Sequence, residues 1–104
     1  MTTKSREILL KKRPVGMPTP DDFELIEVTV EDPGEGQILV QNLYMSVDPY
    51  MRGRMVDRKS YTPPFKVGET LTGGALGRVS ASHHRDFSEG DYVQSNFGWR
   101  EWFV

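Results

Sequence analysis

The sequence predicts a mainly β domain, most simply a partly open barrel, and three observations carry that prediction. Ten Gly and seven Pro are spread along 104 residues, about one residue in six against an average near 12% for the pair, so the chain is cut into short segments. Between the breakers stand six runs rich in Val, Ile, Leu, Phe, Tyr and Trp, the composition that fits a pleated, half-buried surface. No run of ten residues shows the 3.6-residue apolar period of an amphipathic helix.

Taken in order, REILLKKR at 6–13 is a first strand, an apolar centre between charges closed by Pro14 and Gly16. MPTPDD at 17–22 is a surface connection, because its prolines remove backbone donors and fix an extended path. FELIEVTV at 23–30 is a second strand. Its apolar residues change parity between Leu25 and Ile26, which predicts a bulge or strong twist there. EDPGEG at 31–36 has the Asp, Pro and Gly of a tight turn and predicts a hairpin into the next strand. QILVQNLYMSV at 37–47 is the longest apolar stretch and reads as the central strand, buried on both faces. DPYMRGRM follows as a compact turn, and Pro63 and Pro64 predict an irregular loop up to about Gly68. GGALGRVSA at 73–81, DYVQSN at 91–96 and WREWFV at 99–104 are three further short strands, the first two joined by the turn SHHRDFSEG.

A chain of this length builds one core. Thirteen Lys and Arg against 15 Asp and Glu leave a net charge of −2 with both signs interleaved, so neither nucleic acid nor an anionic membrane is an expected partner. No apolar run approaches the roughly 20 residues of a membrane span, and MTTKSREILL lacks the apolar core of a secretory signal. A cytoplasmic location is the expectation. The absence of Cys removes disulfides, thiolate zinc sites and Cys nucleophiles. The chain stops on an apolar strand with no polar tail, which predicts a domain cut from a longer polypeptide.

Glycine fingerprints are out of register: Gly34 and Gly36 begin a G-x-G pattern that Leu39 breaks, Gly73, Gly74 and Gly77 do no better, and no phosphate-loop GK[ST] exists. These residues alone therefore bind no dinucleotide. His83 and His84 are adjacent and point to opposite faces if extended, so an exposed turn is favoured over a metal site. VDPYMRGRM at 47–55 is different, since it projects a phenol and two guanidiniums from a turn at the end of the central strand. The plainer reading is a packed corner, with Tyr50 and Met51 plugging the barrel end and Arg52 or Arg54 paired with a carboxylate. Trp99 and Trp102 with Phe97 and Phe103 form a second aromatic cluster.

LYMSVDPYMRGRM at 43–55, with PGEGQILV before it and SYTPPFKVGETLTGGALGRV and SEGDYVQSNFGWREW after it, resembles the N-terminal GroES-like domain of the zinc-independent medium-chain dehydrogenase/reductases. Within them it is most similar to the NADPH-dependent alkenal/one oxidoreductases, the branch of curcumin, 2-alkenal and prostaglandin (leukotriene B4) reductases. The resemblance covers almost the whole chain in collinear order. It implies a single GroES-like, substrate-side domain over 1–104, followed in the complete enzyme by a Rossmann domain that binds NADPH. The implied reaction reduces the carbon–carbon double bond of an enone or enal by hydride addition at the β-carbon, and these 104 residues alone would be inactive.

Carried over residue by residue, the resemblance makes Tyr50 the catalytic residue and part of the substrate pocket. It puts Pro49 and Met51 beside the cofactor and Arg52, Phe97 and Trp99 against the substrate. Gly74 stands where some plant relatives carry a tyrosine. Ser46 and the GGA of 73–75 occupy the places where zinc-dependent cousins need Cys and His, so no catalytic zinc is implied. The implied partners are an enone or enal and the Rossmann domain; an uncovered cleft face and C-terminal strand would favour self-association, with a homodimer among the outcomes. The alternative function is a free-standing barrel acting as an interaction or oligomerisation module.

Overall fold

The structure, a computed structural model, describes residues 2–57 and 63–104. It contains six strands: β1 (Thr2–Leu10), β2 (Phe23–Glu31), β3 (Ile38–Met45), β4 (Ala75–Ser82), β5 (Tyr92–Ser95) and β6 (Trp102–Phe103). One short helix, α1 (Tyr50–Arg54), follows β3, and a single 3-10 turn at Pro20–Asp22 precedes β2. None of the helices among the described residues is long and apolar enough to cross a membrane.

The strands form two sheets, β1 with β2 and the four-stranded order β5-β4-β3-β6, all antiparallel. The sheets are joined through isolated bridges, Glu7 with Arg100 and Leu9 with Thr70, and through Ser5, whose hydroxyl accepts from the Trp102 amide at 3.1 Å. The mainly β, open arrangement agrees with the fold class read from sequence, and the described residues close no barrel.

Four expectations are corrected. β1 begins at Thr2 and stops at Leu10, ahead of the Lys11–Arg13 run, because the chain there turns to take two amide bonds from Lys11 and Lys12 to the Asp22 carbonyl. No bulge occurs near Leu25: β1 and β2 pair without a break from Thr2 with Glu31 to Leu10 with Phe23. The parity change arises because Ile26, Val28 and Val30 share a half-buried face while Leu25 is 64% exposed on the other. The 31–36 turn closes no hairpin; it carries the chain from one sheet to the other, with the Gly36 amide donating to the His83 carbonyl at 3.0 Å. Of the run at 99–104 only Trp102 and Phe103 are strand, since Trp99 adopts φ +62° and breaks the extension.

The irregular passage expected before Gly68 is seen up to Asp57 and from Pro63; residues 58–62 of that passage, and Ser60–Thr62 of the family-like stretch, lie outside the described residues. A core of Leu10, Met51, Met55, Phe65 and Leu71 packs beneath α1, with Ile8, Phe23 and Trp99 against it. At about 1.5–3 kcal/mol for each large side chain buried, Met51 and Met55 hold the inner face of α1 down on this cluster.

Candidate functional site

The end of β3 is where the fold opens. The strand is interior by pairing, lying between β4 and β6, yet only Leu39 and Val40 are buried in it. The expected burial on both faces therefore holds for its first half alone. The strand has register irregularities at Leu39/Val40 and, in its second half, at Asn42/Tyr44, and a bulge of that kind re-aims the side chains beyond it. Tyr44 is 72% exposed, Val47 69%, Tyr50 51% and Phe97 47%. Large apolar side chains gathered at one end of a small domain mark a surface meant to be covered.

The corner after β3 is a helical turn. Ser46 Oγ donates to Asp48 Oδ1 at 2.7 Å, and the Met51 amide returns to the Asp48 carbonyl at 3.1 Å. Pro49, exposed with φ −56°, presets the backbone for α1 without needing a donor. Met51 is 3% exposed in the core, whereas Tyr50, its neighbour, faces out. The corner is thus partly the packed plug of the plainer reading and partly an open surface. The side chain of Met51 is part of the core and does not line the surface.

Among the described residues neither arginine meets a carboxylate, which corrects the pairing expected of a packed corner. Arg52 Nε and Nη2 donate to the Gly16 carbonyl at 3.2 and 2.9 Å, and Nη2 reaches the Pro14 carbonyl at 3.3 Å. Arg54 donates to the Pro63 carbonyl and to Thr72 Oγ1, and its guanidinium lies 4.1 Å from the Phe65 ring centroid. Both side chains hold loops against α1.

A groove of about 440 Å³ runs beside this corner, lined by Tyr44, Met45, Ser46, Gly74, Leu76 and Gln94. The Ser46 amide donates to the Gly74 carbonyl at 2.8 Å, so the two positions are neighbours across the floor. A Cβ on Gly74 would come no closer than 3.9 Å to Ser46 Cβ, while one on Gly73 would run into the Met51 methyl at 2.5 Å. A side chain at 73 would therefore require the flexible end of Met51 to shift, whereas Gly74 is open to the groove. A second, smaller recess of about 270 Å³ shares Met45 and is lined by Ile8, Leu25 and Trp99, with Arg6, Arg100 and Glu101 around it.

The segment Asn96–Arg100 packs against Gly73, and its Trp99 and Arg100 line the second recess. The Gly73 amide donates to the Asn96 carbonyl and the Gly98 amide to the Gly73 carbonyl. Asn42, on β3, donates through Nδ2 to the carbonyls of both Phe97 and Arg100 at 2.7 and 2.9 Å. Phe97 stacks on Phe103 with centroids 5.0 Å apart. Trp99 packs on the core with its amide directed at Met45 Sδ, so the four aromatics do not form one cluster. Asn42 and Met45 were not singled out from sequence; an Asn or a Met within a strand carries no signal of its own.

Electrostatics near the site are local. Glu101 takes the Arg6 backbone amide and guanidinium on its carboxylate, which holds its pKa down at about 2 from 4.5. Burial pushes the Arg100 guanidinium down, opposed by the nearby Glu7. His83 and His84 lie in the β4–β5 turn, away from the corner, where His84 Nδ1 accepts from the Asp86 amide.

The chain matches, over residues 6–104, the family described as the N-terminal domain of oxidoreductase. It is 46% identical to the NADPH-dependent curcumin reductase of Escherichia coli K12, across 97% of this chain and 29% of that protein. To the NADP(+)-dependent 2-alkenal reductase of Nicotiana tabacum it is 36% identical, across 96% of this chain and 30% of that one. The crystal structure of CurA from Vibrio vulnificus superposes with a TM-score of 0.91 at 43% identity, covering 94% of this chain and 29% of CurA; CurA is also known in complex with NADPH. This chain spans under a third of the length of these relatives. With the match covering nearly all of it, the chain belongs to the oxidoreductase N-terminal domain family.

Proposed function

We propose that residues 1–104 are the substrate-side, GroES-like domain of a two-domain NADPH-dependent oxidoreductase that reduces the carbon–carbon double bond of α,β-unsaturated ketones and aldehydes. The observation that carries this reading is the uncovered apolar end of β3 with Tyr50 on its rim, in a chain 46% identical to a curcumin reductase. A nucleotide-binding domain supplied elsewhere in the protein would cover that end, in keeping with the lack of a glycine fingerprint in these residues.

The residues present fit a flat ring rather than a charged tail: the groove beside Ser46 and Gly74 is mostly apolar, and glycine at 74 leaves its floor free of a side chain. NADPH, when bound, supplies the hydride that adds to the β-carbon. Pro49, the Met51 backbone and the Ser46–Gly74 floor would flank the nicotinamide. Tyr50 would donate its hydroxyl hydrogen bond to the substrate carbonyl, where negative charge develops as the enolate forms; a donor aimed at that oxygen is the electrostatic part of the catalysis. Phe97 and Trp99 would close the apolar wall over the enone. The proton that completes the reduction goes to the α-carbon. Zinc has no role in this scheme: the Ser46 hydroxyl is donated to Asp48, and Gly74 offers no ligand.

The test is turnover by the complete reading frame. NADPH should be oxidised when a 2-alkenal or a diarylheptanoid enone is added, and the 104 residues alone should leave it untouched. Turnover of alcohols with NAD and none of enones would sink the proposal. Tyr50→Phe should lower enone turnover at least tenfold with NADPH affinity unchanged, because one oxyanion donor is commonly worth 10²–10³ in kcat; equal loss of both would make Tyr50 a packing residue.

A further inference from the structure

Resting on the reductase reading, we infer that Arg52 is a positioning residue for Tyr50 rather than a substrate contact. α1 is only five residues long and contains Gly53, and a helix of that length has no stability of its own because nucleation is unfavourable. Its orientation must come from outside. The segment Arg13–Gly16 supplies it by a reciprocal clasp: Arg52 reaches across to the Pro14 and Gly16 carbonyls, while Arg13 Nη1 donates back to the Met55 carbonyl at the helix end at 2.9 Å. A guanidinium at the last carbonyl also complements the end of the helix.

The clasped loop depends on Arg52 in turn. Among the described residues, the hydrogen bonds to Pro14–Met17 are those from Arg52. Val15 and Met17 are 97% and 83% exposed, so beyond the buried ring of Pro14 no apolar side chain of Val15–Met17 anchors the loop. Gly16, at φ +73°, turns its carbonyl towards the guanidinium. Two of the three nitrogens of Arg52, Nε and Nη2, are committed to these carbonyls, which fixes the plane of the guanidinium and leaves Nη1 alone to meet any substrate oxygen. Tyr50 lies two residues away on the same turn. Its hydroxyl needs placement to within about half an ångström to serve a developing oxyanion, and a misplacement of about 1 Å costs roughly 10²-fold.

The experiment compares the complete protein with Arg52→Lys, Arg52→Met, Tyr50→Phe and the Arg52→Met/Tyr50→Phe pair. Arg52→Met should lower kcat by about 10- to 100-fold with KM for the enone within about twofold, and Arg52→Lys should recover part of the loss. The pair should fall no further than Tyr50→Phe alone, since both act through one hydroxyl. A raised KM with kcat kept, or losses that multiply in the pair, would make Arg52 a substrate contact and overturn the inference. Amide hydrogen exchange supplies a readout independent of turnover. In Arg52→Met the amides of Met51, Arg52, Met55 and Val56, all bonded within the corner, should lose protection by at least about tenfold, while β4 keeps its own. Unchanged exchange in the corner would refute the clasp even if the protein reduced no enone, whereas lost protection with no enone turnover in the wild type would refute only the reductase reading.

Discussion

Replacing Asn42 tests how the aromatic segment at 96–100 is held. Its Nδ2 makes two hydrogen bonds, to the Phe97 carbonyl at 2.7 Å and the Arg100 carbonyl at 2.9 Å, and its Oδ1 is buried with no partner. Asn42→Ala removes both donors and leaves two carbonyls of a partly buried segment to find water. At about 1 kcal/mol net for each bond, with more where an acceptor stays dry, the loss should be about 2–3 kcal/mol. For a domain of this size each 1 kcal/mol moves the midpoint by about 4–8 °C, so Tm should fall by about 10 °C or more. The intrinsic fluorescence of Trp99 and Trp102, the two tryptophans of the sequence, reports the transition from the affected segment. Asn42→Asp should be worse than Ala at neutral pH, because it puts a carboxylate oxygen where two carbonyls already point. Burial among acceptors raises the folded-state pKa of that new carboxyl, so its penalty should be greatest above that value and should shrink as acid protonates it into a donor. A variant Asp at least as stable as the wild type at neutral pH, or an Ala variant with an unchanged midpoint, would show that the two bonds do not hold this segment.

Glycines 77 and 74 should respond oppositely to alanine. At Gly77 a Cβ would meet Val40 Cγ1 at 2.4 Å and the Gln41 carbonyl at 2.9 Å; Val40 is 1% exposed and branched, so neither neighbour gives way cheaply. Gly77→Ala should cost about 1–3 kcal/mol by overpacking, seen as a lower urea midpoint at unchanged slope, while Gly74→Ala, whose Cβ would sit in ordinary contact 3.9 Å from Ser46 Cβ, should stay within about 0.5 kcal/mol of the wild type. The Glu101–Arg6 pair predicts a pH dependence of known sign: a carboxyl held at about 2 instead of 4.5 contributes stability above about 4.5 that disappears as the pH falls towards 2. Glu101→Gln should flatten that part of the stability curve, and because the two side chains are 40% and 64% exposed, salt should flatten it too.

Sequence carried the architecture where side-chain period and turn residues agree. Six strands are found where six apolar runs stand, and the turn after β4 lies where His83–Gly90 predicts it. What failed is non-local. Residues 31–36 look like a hairpin turn, but whether the strand after a tight turn pairs with the strand before it is decided by other partners. Here β1 takes the inner edge of β2, and β4 takes β3. The burial of the run at 37–47 failed for a related reason: an apolar residue scores alike whether this domain or another covers it. At the corner, Tyr50 is exposed while Met51 lies in the core because consecutive residues of a helical turn cannot share a face; Phe97 is exposed too. Arg52 and Arg54 face carbonyls rather than acids, and no residue pattern announces a carbonyl acceptor, since every residue carries one.

The corner combines a fixed backbone with an uncovered surface, and the two properties require one another. An apolar rim that is 40–70% exposed on several residues gains nothing from burial within this domain, so apolar packing cannot hold it in shape before its cover arrives. Directional bonds from beneath do so instead. Arg13 and Arg52 fasten α1 to one loop, Arg54 fastens it to another, Met51 and Met55 sink its inner face, and Asn42 ties down the segment at 96–100. Each of these lies behind or beside the groove and none fills it. A rim built this way keeps its geometry while wet, so any binding to it would expel water without first having to order its side chains.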